Sequence, residues 1–423
     1  MTLTAYVNAR LMDPLSGRDE TGALLVNGPE IAALGADAGI PENAARVDCR
    51  GKVLAPGFID MRAHRVEWEA AAAGGITTIV LQPDQTTIID ADAAVERIRS
   101  RAAARSTIRV YPMGAATKGL KGREIAEIGQ MQASGAVAFT DCRQPVADAR
   151  VMRRLLEYAS FFDALVVQFP QEPSLAEGGS VHEGEIATRL GLAGIPVAAE
   201  VIQIERDARL ALLTGARLHF ALVSSREGLE AVRRARAAGA RVTCSVAPHY
   251  LHLNANAVEG FKTFARVSPP LREESDRRAL IAGLADGTID TLVSDHDPQS
   301  EDSKRLPFEQ AAFGVLSFET MLPLALGAVH AGHLDLMRLL DSLTAAPARL
   351  LGLPGGHLAP GAPADLVLFD PDKPWRVDRF NMRAGTRNTP FDTLPVQGRV
   401  LRTVVNGATV FDAAATTPRQ GKA

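Results

Sequence analysis

The feature of the sequence that most constrains the fold is a regular alternation of short apolar runs with longer helical patterns. Eight runs typical of buried β-strands lie at 53–59, 76–82, 107–113, 136–141, 165–169, 217–223, 242–246 and 290–295. Segments between them, such as 90–105, 147–159, 227–238 and 275–285, carry apolar residues three and four positions apart. Eight β/α units predict an α/β fold, a (β/α)8 barrel, with functional residues at the carboxyl ends of the strands. A doubly wound sheet would also fit the alternation, but it would not bring polar residues from so many strand ends together.

The sequence pattern differs at both ends of the chain. Short segments in which apolar and polar residues alternate are separated there by turn residues. The N-terminal segments lie at 5–11, 22–26, 31–35 and 45–49, and the C-terminal ones at 364–369 and 400–411. The last segment predicts a hairpin with its turn at Asn406-Gly407. We therefore expect residues 1–54 and 357–423 to form one small β-sandwich domain, and residues 55–356 to form the barrel.

Composition excludes several classes of function. Apolar residues make up 46% and charged residues 22% of the 423-residue chain, which is typical of a soluble protein with a sizeable core. The net charge of −3 gives no electrostatic case for nucleic acid or an anionic membrane as a partner. The three cysteines include no CxxC pair, so neither a disulfide framework nor a thiolate zinc site is expected. Without a signal-peptide pattern or a membrane-length apolar stretch, we expect a cytoplasmic protein.

The segment 53–84, VLAPGFIDMRAHRVEWEAAAAGGITTIVLQPD, resembles the first barrel strand of the amidohydrolase superfamily, with its Pro-Gly-hydrophobic-Ile-Asp run. Further segments follow in order, among them AFTDCRQPV, HEGEIATRLGL, APHYLHL, RVSPPLR and DGTIDTLVSDHDP. Together they resemble the bacterial dihydroorotases, which are cyclic amide hydrolases of pyrimidine synthesis, and more distantly the hydantoinases and allantoinases. The resemblance covers essentially the whole chain and implies an amidohydrolase-type barrel with a small β domain.

The same resemblance implies a metal site at the strand ends, and this chain departs from it. Only His64, after the first strand, and Asp295, at the eighth, match positions of metal ligands. Four ligand positions are held by other side chains: Arg62, Cys142, Gln168 and Leu222. An arginine or a leucine offers a metal no lone pair. We therefore expect the metal site to be lost, no cofactor to be bound, and Asp295 to be a vestigial general base.

Substrate-binding groups of the family are also missing. The family's Leu-Arg-Glu-Pro-Gly segment is absent after His64, and Asp84, Ser268 and Gln299 stand where two asparagines and a histidine are expected. We hypothesise that Arg62 pairs with Asp295, so that a guanidinium takes the place of the metal charge.

The remaining candidates at the strand ends have ordinary structural explanations. We expect His64 to be buried and hydrogen-bonded to a neighbour such as Asp295. Cys142 has no obvious histidine beside it in the sequence, so we expect a small buried apolar residue rather than a nucleophile.

Two interpretations follow. In the first, the chain is a catalytically inactive dihydroorotase homologue. The resemblance then implies a subunit that assembles with the catalytic subunit of aspartate transcarbamoylase in a hetero-oligomer. In the second, it is an active zinc-dependent cyclic amide hydrolase with a reduced or rebuilt metal site. His64 and Asp295 fall short of the three protein ligands of a catalytic zinc, which favours the first interpretation.

Overall fold

The structure is a computed structural model that describes residues 3–36 and 38–415. Strands in this part of the chain are β1 (Leu3–Asp13), β2 (Arg18–Asn27), β3 (Glu30–Gly35), β4 (Ala45–Asp48), β5 (Val53–Pro56), β6 (Phe58–Ala63), β7 (Ile76–Leu81), β8 (Arg109–Pro112), β9 (Phe139–Thr140), β10 (Leu165–Gln168), β11 (Val181–His182), β12 (Gly194–Ile195), β13 (Arg217–Phe220), β14 (Val242–Val246), β15 (Thr291–Leu292), β16 (Leu366–Arg376), β17 (Pro395–Val405) and β18 (Ala408–Asp412).

Helices in the same part of the chain are α1 (Trp68–Ala73), α2 (Asp92–Arg105), α3 (Ile128–Ala133), α4 (Ala149–Ser160), α5 (Pro173–Ala176), α6 (Glu185–Leu190), α7 (Val197–Thr214), α8 (Arg226–Ala237), α9 (Pro248–His252), α10 (Glu274–Ala285), α11 (Glu301–Arg305), α12 (Met321–His330), α13 (Leu336–Leu343) and α14 (Ala345–Leu351). Short 3₁₀ helices lie at Lys118–Leu120, Ala255–Val258 and Thr263–Ala265. None of the helices in the described residues is long and apolar enough to cross a membrane.

Parallel pairing of eight strands closes a barrel. One arc runs β6-β7-β8 and the other β9-β10-β13-β14-β15, with every pair parallel. Isolated parallel bridges join the two arcs, Gly114 to Phe139 on one side and Ala63 to His296 on the other. The (β/α)8 fold predicted from the alternation is confirmed. A closed ring brings the carboxyl ends of all eight strands to one mouth.

The first barrel strand begins later than the sequence predicts. The apolar run at 53–59 is divided at Gly57: β5 pairs with β1 and β16, whereas β6 pairs with β7. A Cβ atom at Gly57 would lie 2.1 Å from Cγ2 of Thr77, so only glycine fits where the chain crosses between the sheets. The prediction of one strand over 53–59 is therefore wrong, because a continuous apolar run does not reveal which sheet each part joins.

The two ends of the chain share a second sheet. Its strands run in the order β18-β17-β16-β5-β1-β2-β3, and β4 pairs with β1. The predicted hairpin is confirmed, with Asn406 and Gly407 at φ values of 50° and 74° between β17 and β18. Leu11, Leu54 and Leu366 belong to one apolar cluster that this sheet buries. Residues from opposite ends of the chain are thus joined through a common core.

The helices cover the barrel because their apolar faces match the predicted spacing. In α4 the buried residues Met152, Leu155, Leu156 and Ala159 recur at intervals of three, one and three positions. The helix begins where the Asp148 carboxylate accepts hydrogen bonds from the backbone amides of Arg150 and Val151. Such docking holds the strand ends, and the polar side chains on them, in fixed positions.

Close backbone contact at Gly74 gives a test of the junction between α1 and β7. A Cβ atom there would lie 2.1 Å from the carbonyl oxygen of Phe318. We expect Gly74→Ala to lower the free energy of unfolding by about 3 kcal/mol, measured by urea denaturation. Gly327→Ala is the control, since Gly327 lies in α12 with open space around its Cα, and the substitution should be neutral or stabilising by up to about 1 kcal/mol. Equal effects of the two substitutions would contradict the contact.

Candidate functional site at the barrel mouth

A buried ion pair lies at the centre of the barrel mouth. Arg62, near the end of β6, donates from Nε to Oδ1 of Asp295 at 2.7 Å. The Arg62 side chain is 3% exposed and that of Asp295 2%, so water hardly screens the two charges. Nη1 of Arg62 also lies 3.3 Å from Oε1 of Gln82, to which it donates. The predicted pairing of Arg62 with Asp295 is confirmed.

A second arginine, which the sequence analysis did not single out, extends this pair. Arg143 follows β9, and its Nη2 lies 3.5 Å from Oδ2 of Asp295. Its Nη1 donates to Oδ2 of Asp297 at 2.7 Å. Two guanidinium groups and two carboxylates therefore alternate along the mouth. One feature of the sequence could have indicated it. Arg143 directly follows Cys142 at the end of a barrel strand, a position from which a charged side chain can reach the mouth.

The two arginines decide the ionisation of Asp295. Burial alone would raise the pKa of this carboxyl, but the charges of Arg143 and Arg62 and the contact with His64 outweigh it and hold the pKa well below its usual range. A carboxylate that is held ionised and engaged on both oxygens is a weak proton acceptor. Asp295 is thus poorly suited to activate a water molecule.

His64 is also held by carboxylates. Its Nδ1 lies 2.6 Å from Oδ2 of Asp84, and its Nε2 lies 3.5 Å from Oδ1 of Asp295. Burial and the charge of Arg143 lower the pKa of His64, yet its bonds to Asp295 and Asp84 outweigh them and the net shift is upward. The expectation of a buried, hydrogen-bonded histidine is confirmed, with Asp84 as the nearer partner.

The other strand-end positions contain side chains that face other partners. Cys142 is 4% exposed, and burial raises the pKa of its thiol well above the ordinary value, so the expectation of a small buried residue is confirmed. Gln168 donates from Nε2 to Oδ2 of Asp207 at 2.9 Å, on helix α7. Leu222 is fully buried. None of these three side chains supplies a thiolate, imidazole or carboxylate to the mouth.

The residues present therefore do not fit a metal ion. Within residues 3–36 and 38–415, no three histidine, cysteine, aspartate or glutamate side chains are grouped so that they could hold one. The Arg62 guanidinium lies directly on Asp295, where it would repel a divalent cation. Asp297, another candidate carboxylate, is already paired with Arg143.

Several further polar contacts at the mouth were not predicted. His296 Nε2 lies 2.8 Å from Oε2 of Glu67, and its ring stacks on Phe318 with centroids 3.7 Å apart. Asp60 accepts hydrogen bonds from the backbone and hydroxyl of Ser294 at 2.8 and 2.5 Å. These contacts tie β6 and the segment after it to the end of β15, which completes the barrel with side-chain bonds. The hydrogen bonds of Glu67 with His296 and of Asp60 with Ser294 join residues more than two hundred positions apart, which local sequence patterns do not reveal.

Family comparison agrees with this architecture. Residues 51–228 match the model of a dihydro-orotase-like family, and residues 234–411 match that of an amidohydrolase family. The structure is similar to an L-hydantoinase (dihydropyrimidinase) from Arthrobacter aurescens, with a TM-score of 0.87 and 27% identity over 97% of this chain and 96% of that one. Fold and comparison together define a (β/α)8 barrel of the amidohydrolase class with an additional β domain.

Relatives of known name identify a family within this class. The chain is 41% identical to a dihydroorotase of Syntrophotalea carbinolica, over 96% of this chain and 98% of the relative. It is 40% identical to a dihydroorotase of Anaplasma phagocytophilum, over 97% and 95% of the two chains. The chain belongs to the dihydroorotase family.

Removal of the central carboxylate tests the ion pair. Asp295→Asn would leave Arg62 and Arg143 without their shared counter-charge, so we expect the free energy of unfolding to fall by about 3–5 kcal/mol. The control is Asp372→Asn, at a side chain that is 81% exposed, where we expect a change within about 0.5 kcal/mol. A loss below about 1 kcal/mol at Asp295 would show that the pair contributes little.

Acid titration tests the sign of the Asp295 shift. Because its pKa is lower in the folded chain than in the unfolded one, the ionised carboxylate stabilises the fold above the unfolded pKa of about 3.9, and this stabilisation is lost as the pH falls further. We expect the difference in unfolding free energy between the wild type and Asp295→Asn to be constant near neutrality and to shrink below about pH 4. Urea denaturation across the pH range would measure it, and a difference that grows in acid would contradict the shift.

Proposed function

We propose that this dihydroorotase-family chain does not hydrolyse cyclic amides. The observation that carries the proposal is the contact of Arg62 and Arg143 with both oxygens of Asp295. Metal-assisted hydrolysis needs a cation that lowers the pKa of a bound water and a carboxylate free to take its proton. In this chain, Arg62 and Arg143 form ion pairs with the carboxylate of Asp295 instead.

We further propose that the chain serves as a structural subunit that assembles with the catalytic subunit of aspartate transcarbamoylase in the cytoplasm. The resemblance to dihydroorotase homologues without metal ligands supports this role. The intact architecture supports it too: the barrel closes, both ends of the chain share one sheet, and the chain spans 98% of a dihydroorotase relative. A barrel whose mouth is closed by ion pairs can still present its outer surface to a partner.

The names of the relatives favour a second candidate, a zinc-dependent dihydroorotase with a rebuilt site. At about 40% identity the relatives are called dihydroorotases. This candidate requires ligands other than His64 and Asp295, since those two are engaged by Asp84 and Arg62.

Elemental analysis separates the two candidates. We expect protein purified without chelator to contain far less than one zinc per chain, and to show no turnover of dihydroorotate with or without added zinc. The S. carbinolica dihydroorotase, purified and assayed in the same way, is the control for both measurements. Stoichiometric zinc together with turnover of dihydroorotate would overturn the proposed inactivity.

Complex formation tests the assembly role. We expect the chain, co-expressed with the aspartate transcarbamoylase catalytic subunit of the same genome, to co-elute with it in size-exclusion chromatography at a fixed ratio. The thermal midpoint of the catalytic subunit should rise in the complex, because binding to the folded state stabilises it. Separate elution at micromolar concentrations, with an unchanged midpoint, would contradict this role whatever the zinc content.

A further inference from the structure

A cavity lies away from the barrel mouth, between the terminal sheet and the barrel. Its walls come from β16, β17, β18, the segment after β16, the end of α1 and the start of α12. The cavity encloses about 620 Å³, and we call it the sheet cleft. Pockets for small ligands commonly enclose about 300–1,000 Å³. Arg62, Asp295 and Arg143 are not among its lining residues, so it is a separate site.

The sheet cleft has an excess of positive charge. Four cationic residues line it: Lys373, Arg376, Arg383 and Arg399. Throughout the described ranges, 3–36 and 38–415, no carboxylate forms an ion pair with any of them. Asp378, an acidic residue of the same wall, instead accepts hydrogen bonds from the backbone of Phe380 and the side chain of Asn381. The cationic side chains are thus available to an external anion.

Two of the arginines are oriented by aromatic rings. Cζ of Arg399 lies 4.3 Å from the centroid of the Trp375 ring, and Cζ of Arg383 lies 5.1 Å from that of Phe411. Packing on a ring restricts the plane of a guanidinium but leaves its N–H edge exposed to acceptors. An oriented N–H edge matches the two oxygens of a carboxylate or a phosphate.

Glu319, the other acidic residue of the cleft, neutralises these cations only in part. Its Oε1 accepts a hydrogen bond from the backbone amide of Arg383 at 2.6 Å. Burial raises the pKa of Glu319 to about 7, although that bond and the charges of Arg383 and Arg399 act in the opposite direction. This carboxyl is therefore protonated more readily than that of an exposed glutamate.

We propose that the sheet cleft binds a small organic anion, whose carboxylate or phosphate is held by Arg383 and Arg399. Apolar side chains beside these arginines, among them Pro323, Met382 and Val400, would contact the ligand's apolar or ring portion. The ligand class follows from the pairing of oriented guanidinium edges with an apolar wall. The site is independent of chemistry at the barrel mouth, so a failure of the proposed inactivity would leave it unaffected.

Calorimetric titration of the full chain tests this site with four probes: phenyl phosphate, benzoate, inorganic phosphate and phenol. We expect saturable binding of phenyl phosphate, benzoate or both, tighter than that of inorganic phosphate or phenol. Arg399→Gln and Arg383→Gln should each weaken binding about tenfold or more, as expected for a charge-assisted hydrogen bond. Lys373→Gln, at an exposed side chain whose loss should not affect folding, should weaken binding as well. Tighter binding of phenyl phosphate would identify a phosphate as the anionic group of the ligand, and tighter binding of benzoate would identify a carboxylate.

Two variants make the outcome decisive. Arg101→Gln, at an exposed position of α2, should leave binding unchanged. Glu319→Gln removes the negative charge without changing the shape, so anion binding should be equal or tighter, the opposite direction to the arginine variants. Absence of saturable binding by either organic anion, or binding that Arg383→Gln and Arg399→Gln leave intact, would overturn the proposal. If inorganic phosphate binds as tightly as phenyl phosphate and benzoate, the apolar portion of the ligand contributes nothing, and the proposal of an organic anion is wrong.

Discussion

The ion pair between Arg62 and Asp295 determines what the barrel mouth can be. A buried charge is costly unless a partner and hydrogen bonds compensate it, and both side chains are almost fully buried. The compensating charge is carried by an arginine of the chain itself, so the pair forms whenever the barrel forms. Arg143 adds a contact from the end of β9. The ends of the first, fourth and eighth barrel strands are therefore joined by charge at the point where an amidohydrolase barrel would admit a metal.

Three residues at the ends of barrel strands share one backbone conformation. Cys142, Leu222 and Asp295 follow the fourth, sixth and eighth barrel strands, and all three have left-handed φ values of 60°, 57° and 49°. A left-handed residue other than glycine costs about 1–2 kcal/mol. The backbone amides of Cys142 and Leu222 donate hydrogen bonds to the hydroxyls of Thr140 and Ser245, at 3.0 and 3.4 Å. The same left-handed conformation thus recurs at three strand ends that carry different side chains.

Sequence patterns predicted the elements well because periodicity is local. The eight strands, the amphipathic helices such as α4 and the Asn406-Gly407 hairpin each depend on residues within one segment. Arg62 and Asp295 could be paired in advance only because the family resemblance placed both at strand ends. The contacts of Arg143 with Asp297 and of Glu67 with His296 depend on side-chain direction after the barrel closes. The switch of sheets at Gly57 was missed for a related reason, since pairing partners lie far along the chain.

Side chains of opposite charge occur in nearly equal number in the network at the mouth. Asp84, Asp295 and Asp297 contribute three negative charges to the network, Arg62 and Arg143 contribute two positive ones, and His64 adds a third when it is protonated. The contacts of His64 with two carboxylates favour its protonated form, which completes the balance. A divalent cation would add two uncompensated charges to this buried network, at a Coulombic cost that burial increases. Replacing Arg62 alone with histidine would remove one positive charge and still leave Cys142, Gln168 and Leu222 at the other ligand positions. The poor fit to a metal ion is thus a property of the whole network rather than of one side chain.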